Sequence, residues 1–125
     1  MKVTRNFGLV LAVGLALVLS EGLVLATGTA TAAGEVTANT TKGEIQKDKR
    51  DRTGGLTVTA VKVLDKFGRH TRTLVRDKDY RVEGDTSTSP TIVFNESAKL
   101  ENGEYCTVEM TSTKAGTHDL DIKFS

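Results

Sequence analysis

The chain of 125 residues contains no tryptophan, and aromatic side chains make up only 5% of it. Sites that stack sugars or single-stranded nucleic acids depend on such rings, so the composition argues against an aromatic binding platform. A single cysteine rules out an internal disulfide. The net charge is only +1, so no global field attracts nucleic acid or a membrane surface.

Motifs of nucleophilic catalysis, phosphate binding and zinc proteases are also missing from the sequence. Neither His70 nor His118 has a thiol or a second histidine near it in sequence, which argues against a zinc site. Cys106 lies in the segment EYCTVEM, where strand alternation puts it on the same face as Val108 and Met110. The thiol is therefore predicted to be a core residue, and we expect no enzyme activity, no metal and no cofactor.

The beginning of the chain is its most hydrophobic part. Lys2 and Arg5 precede an uncharged run, Phe7–Leu19, and this order is typical of a secretory signal peptide. Small residues further along predict cleavage after Ala32 or Ala33. The sequence therefore predicts that the protein is secreted or held at the cell surface.

Two alternatives stay open for this segment, residues 1–33. Phe7 to Thr27 is long enough to span a bilayer, and Glu21 lies near its outer end, where a carboxylate is tolerated, so it could be a membrane anchor. Cleavage after Ser20 would instead leave a tail rich in Leu, Val and Thr that can add as a strand to a neighbouring copy. The candidate assembly strand in that tail consists of Leu23, Val24 and Leu25.

Residues 34–42 are interpreted as a linker or N-terminal tail, and residues 43–125 as one β-rich domain. Turn signals separate about seven predicted strands, of which the last runs from residue 117 to residue 124, and no long helix is predicted. We therefore expect an all-β fold, an immunoglobulin-like antiparallel β-sandwich. In its clearest strand, Leu56, Val58 and Ala60 alternate with Thr57, Thr59 and Val61.

A set of motifs in the second half of the chain is similar to a known family. The segment DYRVEG, Asp79–Gly84, is followed by a strand at Ile92–Phe94, a helical turn at Ala98–Leu100 and a closing strand at Leu120–Phe124. This order resembles the immunoglobulin-like X-module, type two, of bacterial cellulases and cellulosomal scaffold proteins. The resemblance implies a β-sandwich with an accessory extracellular role in binding cellulose or cell wall, and it assigns no binding residue.

Charge is distributed unevenly along the chain. Residues 41–81 hold twelve basic residues against six acids, whereas residues 82–125 hold three against eight. The two halves could attract each other within the fold or bring neighbouring copies together. The densest basic stretch, residues 46–52, is the best candidate for contact with an anionic polymer. Its candidate polyanion-binding residues are Lys47, Lys49, Arg50 and Arg52.

These observations predict a non-catalytic, exported module for surface binding or adhesion, with a cell-wall or polysaccharide surface as its partner. The alternative is an extracellular filament or coat subunit whose copies join by N-terminal strand addition. No nucleic acid partner is expected, and the membrane is contacted only through the N-terminal segment. Asn39 and Asn95 each begin an Asn-x-Ser/Thr sequon, which has meaning only in a host that glycosylates such sites.

Overall fold

A computed structural model of the protein describes residues 27–125. These residues form β-strands and one short 3-10 helix at Glu96–Ala98, so the all-β prediction is confirmed. No helix within this range is long and apolar enough to cross a membrane. The strands in chain order are β1 (Gly28–Glu35), β2 (Lys42–Ile45), β3 (Leu56–Leu64), β4 (His70–Thr73), β5 (Tyr80–Glu83), β6 (Thr91–Phe94), β7 (Tyr105–Ser112), β8 (Gly116–Leu120) and β9 (Ile122–Phe124).

The strands form two sheets that pack face to face as a sandwich. One sheet has the order β9-β2-β6-β5, and the other has the order β4-β3-β7-β1-β8. Neighbouring strands are antiparallel except for β1 and β8, which run parallel. Apolar side chains from both inner faces form the core. The largest fully buried apolar side chains include Ile45, Leu56, Ile92, Val36, Val61, Val63 and Val108.

Strand β3 carries a bulge that changes which of its residues face the core. The pairing with β7 shifts register between Val58 and Ala60. Val58 is buried before the shift, and Val61 and Val63 are buried after it. The alternation in the sequence puts Ala60 on the same face as Leu56 and Val58, and Val61 on the other face. The structure differs beyond the bulge, because the extra residue, Thr59, exchanges the two faces of the strand.

The sandwich begins earlier in the chain than the sequence indicated. The expected start is residue 43, but β1 begins at Gly28 and lies between β7 and β8 in the five-stranded sheet. Its Ala30 and Ala32 are buried in the core. Cleavage after Ala32 or Ala33, as expected for a signal peptide, would therefore cut a paired strand.

The N-terminal division of the chain changes accordingly. Of the linker predicted at residues 34–42, only residues 36–41 connect two strands, and Val36 within them is fully buried. The hydrophobic run Phe7–Leu19 lies outside the described residues and stays a prediction. The same holds for the candidate assembly strand of Leu23, Val24 and Leu25.

The C-terminal segment forms two strands where one was predicted. β8 pairs with β1 in the five-stranded sheet, and β9 pairs with β2 in the four-stranded sheet. The chain crosses between the sheets at Asp121, whose carbonyl oxygen accepts a hydrogen bond of 2.8 Å from the backbone N–H of Gln46. This crossing and the additional strand β1 explain why the sandwich has more strands than the sequence predicted.

Ion pairs join the basic half of the chain to the acidic half within the fold. They connect neighbouring strands or fasten loops to them, and they account for part of the uneven charge as an internal attraction. The pairs are Lys62 with Glu109 at 2.9 Å, Arg72 with Glu104 at 3.2 Å and Arg76 with Asp85 at 3.0 Å.

Cys106 lies in the core beside Val108 and Met110, as the alternation in β7 predicted. Burial raises the pKa of its thiol to about 12, because a thiolate is poorly solvated among apolar side chains. The cysteine is therefore protonated and inert at neutral pH, which leaves it a packing role.

Candidate binding surface

The predicted basic stretch forms the surface connection between β2 and β3, and an internal ion pair occupies part of it. The Arg52 side chain donates to both carboxylate oxygens of Asp48 at 2.9 and 3.0 Å, and the Arg52 backbone N–H donates at 2.8 Å. These hydrogen bonds hold the pKa of Asp48 well below its usual range and raise the pKa of Arg52. Arg52 therefore organises the loop and is engaged before any ligand arrives.

The other three candidate cations differ in whether an ion pair already occupies them. The Lys47 ammonium lies 3.2 Å from a carboxylate oxygen of Asp51, which is an exposed and weak ion pair. Lys49 and Arg50 are exposed at a turn, and neither forms an ion pair with any residue in the range 27–125. The structure thus brings all four candidates into one loop but leaves two of them available for an external anion.

A depression of about 610 Å³ lies beside this loop. Its walls are formed by residues 46–50 with Arg52 on one side and by Asp119, Leu120 and Asp121 on the other. The carboxylates of Asp119 and Asp121 oppose a uniformly anionic ligand in the depression. Since the walls present both donors and acceptors, they suit a polar polymer that carries hydroxyl groups and scattered charge.

The basic loop is fastened to the turn between β7 and β8, residues 113–115, which we call the arch. The Lys114 ammonium donates to the carbonyl oxygen of Asp51 at 2.7 Å, and the Gly55 N–H donates to the Thr113 hydroxyl at 3.0 Å. The Ser112 hydroxyl donates to the carbonyl oxygen of Thr53. Loop and arch therefore form one connected surface at this end of the sandwich.

The arch also closes one end of the space between β7 and β8, which we call the strand slot and which β1 fills. Gly28 pairs with Ser112 on one side and with Gly116 on the other, directly beneath the arch. A Cβ atom at Gly28 would lie 2.3 Å from the carbonyl oxygens of both Lys114 and Gly116. Only glycine fits at this position unless the backbone moves.

The DYRVEG segment has a structural explanation. The Asp79 carboxylate accepts a hydrogen bond of 2.8 Å from the Val75 N–H, and this bond holds the pKa of Asp79 below its usual range. Tyr80 is buried, and Gly84 has a positive φ of 69° at the turn that follows. These contacts give the segment a structural role, in which it fixes a turn and a strand.

Other candidate chemistry is not assembled in the described part of the chain. No group of three or more His, Cys, Asp or Glu side chains between residues 27 and 125 could hold a metal ion. His70 is exposed and its ring contacts the Thr73 hydroxyl at 3.0 Å, whereas His118 is half-buried and its ring contacts the Lys114 carbonyl oxygen at 3.3 Å.

A second depression, of about 340 Å³, lies at the end of the sandwich away from the arch, and it was not predicted from the sequence. Asn39 and Asn95 both line it, so the two sequons are the one signal that could have indicated this surface. The two asparagine side chains differ in whether a sugar could be attached, because the Asn95 side-chain amide already donates to the carbonyl oxygen of Lys78 at 2.7 Å. Asn39 is exposed in a turn.

No family model, curated protein or solved structure matches this chain. The fold defines an all-β sandwich.

Proposed function

We propose that the protein is a non-catalytic, exported module that binds a cell-wall or polysaccharide surface through its basic loop. The observation that carries this proposal is the exposed pair Lys49 and Arg50, which remains available beside a polar depression. The signal-like N-terminal sequence supports export, and the resemblance to X-modules supports an accessory role on a polymer surface.

The chemistry of the loop favours weak contacts that are repeated many times. Two free cations on an exposed turn provide only modest attraction, and salt screens it. The exposed Phe67 lies in the hairpin between β3 and β4, away from the loop, so it adds no stacking surface to the site. Many copies on one polymer would raise the overall affinity without any new contact in a single copy.

Cosedimentation with cellulose, peptidoglycan and heparin-coated beads tests this binding directly. The variant Lys49→Ala/Arg50→Ala should lose most of the bound fraction at low salt. The control Lys66→Ala/Lys78→Ala removes two exposed cations from other loops and should bind like the natural chain. Equal binding by both double variants would reject the loop as the contact surface.

One observation also favours the second function, a self-assembling extracellular filament or coat subunit. The most N-terminal described strand, β1, is inserted between β7 and β8, which are neighbours in sequence. A strand with this position can come from another copy, because the strand slot is built from the C-terminal part of the chain. Light scattering on the full chain tests assembly: large particles support it, and a strictly monomeric protein contradicts it.

A further inference from the structure

We propose that copies of this chain exchange β1, so that Gly28–Glu35 of one molecule fills the strand slot of the next. The inference rests on the proposed assembly function and identifies the segment and the surface that would carry it. The segment follows the candidate assembly strand, Leu23–Leu25, in the sequence. Gly28–Glu35 lies within the described residues and has a defined pairing register there.

The strand order is the first argument. Strands that are joined by a short turn usually pair with each other as a hairpin. β7 and β8 are joined by the arch alone, yet β1 separates them along the whole length of β8. The strand slot is therefore a complete two-sided template for a strand, and its edges do not depend on which molecule provides that strand.

The nature of the contacts is the second argument. β1 pairs along its eight residues with β7 and from Gly28 to Ala32 with β8, so main-chain hydrogen bonds on both sides hold it. Its buried side chains are only Ala30 and Ala32. A strand held mainly by its backbone makes the same contacts in its own molecule and in a neighbour, so exchange conserves nearly all of them.

The segment between β1 and β2, residues 36–41, provides the hinge about which β1 would swing out to a neighbouring copy. Val36 is buried and anchored by a hydrogen bond of 2.8 Å from its N–H to the carbonyl oxygen of Glu104, so it would travel with the donated strand. Residues 37–41 follow as a surface turn, closed by a hydrogen bond of 3.1 Å from Thr40 N–H to the Thr37 carbonyl oxygen. Opening this turn lets β1 reach a neighbour, and a head-to-tail contact of this kind produces open chains of molecules.

Cysteine pairs in the full-length chain can report which molecule provides the strand. Thr29 and Thr111 lie opposite each other on the solvent face of β1 and β7. Such antiparallel neighbours have Cα separations of about 4.5–5.5 Å, within the range of a disulfide. Thr57 lies opposite the same Thr111 from β3, so Thr57→Cys/Thr111→Cys is the matched control. The buried Cys106 does not compete.

After oxidation, the Thr29→Cys/Thr111→Cys chain should give a ladder of covalent oligomers on a non-reducing gel. The control should give a closed monomer, because β3 and β7 belong to the same molecule. A closed monomer from Thr29→Cys/Thr111→Cys, or no disulfide in it while the control closes, overturns strand exchange. Light scattering on the same samples separates the two proposals: large particles with closed monomers reject exchange and leave assembly standing, whereas small particles reject both.

Discussion

Strands β3 and β1 flank β7 over the same stretch, Tyr105–Ser112, and they are held there in different ways. β3 buries Leu56, Val58, Val61 and Val63, whereas β1 buries only Ala30 and Ala32. Burying a large aliphatic side chain contributes about 1.5–3 kcal/mol, and an alanine contributes far less. Side chains therefore attach β3, while the backbone and the close fit beneath the arch attach β1.

This difference shows how one sheet can combine a permanent strand with a replaceable one. The position of β3 depends on its own side-chain pattern, including the bulge at Thr59. The position of β1 depends on the slot, because Gly28 fits beneath the arch and larger residues do not. A strand that the slot selects by fit can be replaced by the same strand of another copy, because few of its side chains tie it to its own molecule.

Removal of β1 should have the largest effect on stability. A chain that begins at Gly34 keeps only the last two residues of β1, so β7 and β8 lose the partner between them along most of their length, and their buried main-chain groups lose hydrogen bonds. We expect no cooperative urea transition by circular dichroism, in contrast to a chain that begins at Thr27. A transition at the same urea concentration in both chains would show that β7 and β8 close into a hairpin and that β1 is dispensable.

Single substitutions in the two strands should separate side-chain attachment from backbone attachment. Leu56→Ala in β3 should cost about 2–5 kcal/mol, because it removes a fully buried side chain and leaves a cavity. Ala30→Gly in β1 should cost about 0.5–1 kcal/mol, mainly through backbone entropy. Urea denaturation of both variants measures the difference. Equal costs would contradict the view that β1 is held by its backbone.

The next largest effect on stability should come from the close fit of Gly28 beneath the arch. Gly28→Ala puts a methyl group against two backbone oxygen atoms, and we expect a loss of about 1–3 kcal/mol. Gly34→Ala in the same strand is the control, since its methyl group would meet the Phe124 ring at 3.0 Å and that ring can shift. Denaturation midpoints compare the two variants. Similar midpoints would mean that the arch adapts and does not select glycine.

Acid should slightly weaken the contacts that hold β3, because Asp85 accepts a hydrogen bond from Val58 in that strand. Burial alone would raise the pKa of Asp85, but hydrogen bonds from the Arg76 side chain and the Val58 N–H, with the Arg76 charge, lower it below its usual range. Because the folded-state pKa is lowered, the stabilisation is present above the unfolded value of about 3.9 and is lost as pH falls through the folded value.

Asp85→Asn should therefore lower stability at neutral pH and flatten its decline in acid. The control Asp77→Asn removes an exposed carboxylate that has no ion pair within residues 27–125, so its acid profile should match that of the natural chain. Urea midpoints at about pH 6 and about pH 3 provide the measurement. Identical pH profiles for Asp85→Asn and the natural chain would show that the hydrogen bonds of Asp85 with Val58 and Arg76 contribute nothing to stability.

The sequence predicted the elements in which apolar and polar residues alternate clearly. Leu56–Leu64 and Tyr105–Ser112 appear where expected, and Cys106 was placed correctly because its neighbours at alternate positions are Val108 and Met110. The bulge was not predictable, since Thr59 differs in no obvious way from Thr57. β1 was not recognised because alanine, glycine and threonine are also the small residues of a signal cleavage region.

The candidate site was only partly predictable for a related reason. The sequence located the basic loop, but charges alone do not reveal that Arg52 folds back onto Asp48 while Lys49 and Arg50 stay free. The opposite wall of the depression, Asp119 and Asp121, comes from a distant part of the chain and is placed there by the tertiary fold.

The hydrogen bond from Lys114 to the Asp51 carbonyl would couple the two proposed processes, polymer binding and strand exchange, which otherwise concern separate surfaces. The arch covers the start of β1, and the basic loop carries the free cations, so a polymer that immobilises the loop would also immobilise the arch. By thermodynamic reciprocity, if polymer binding strengthens the hold on the strand, then a filled strand slot strengthens polymer binding by the same free energy. A copy that is bound to its surface would then hold the strand in its slot more tightly than a copy in solution.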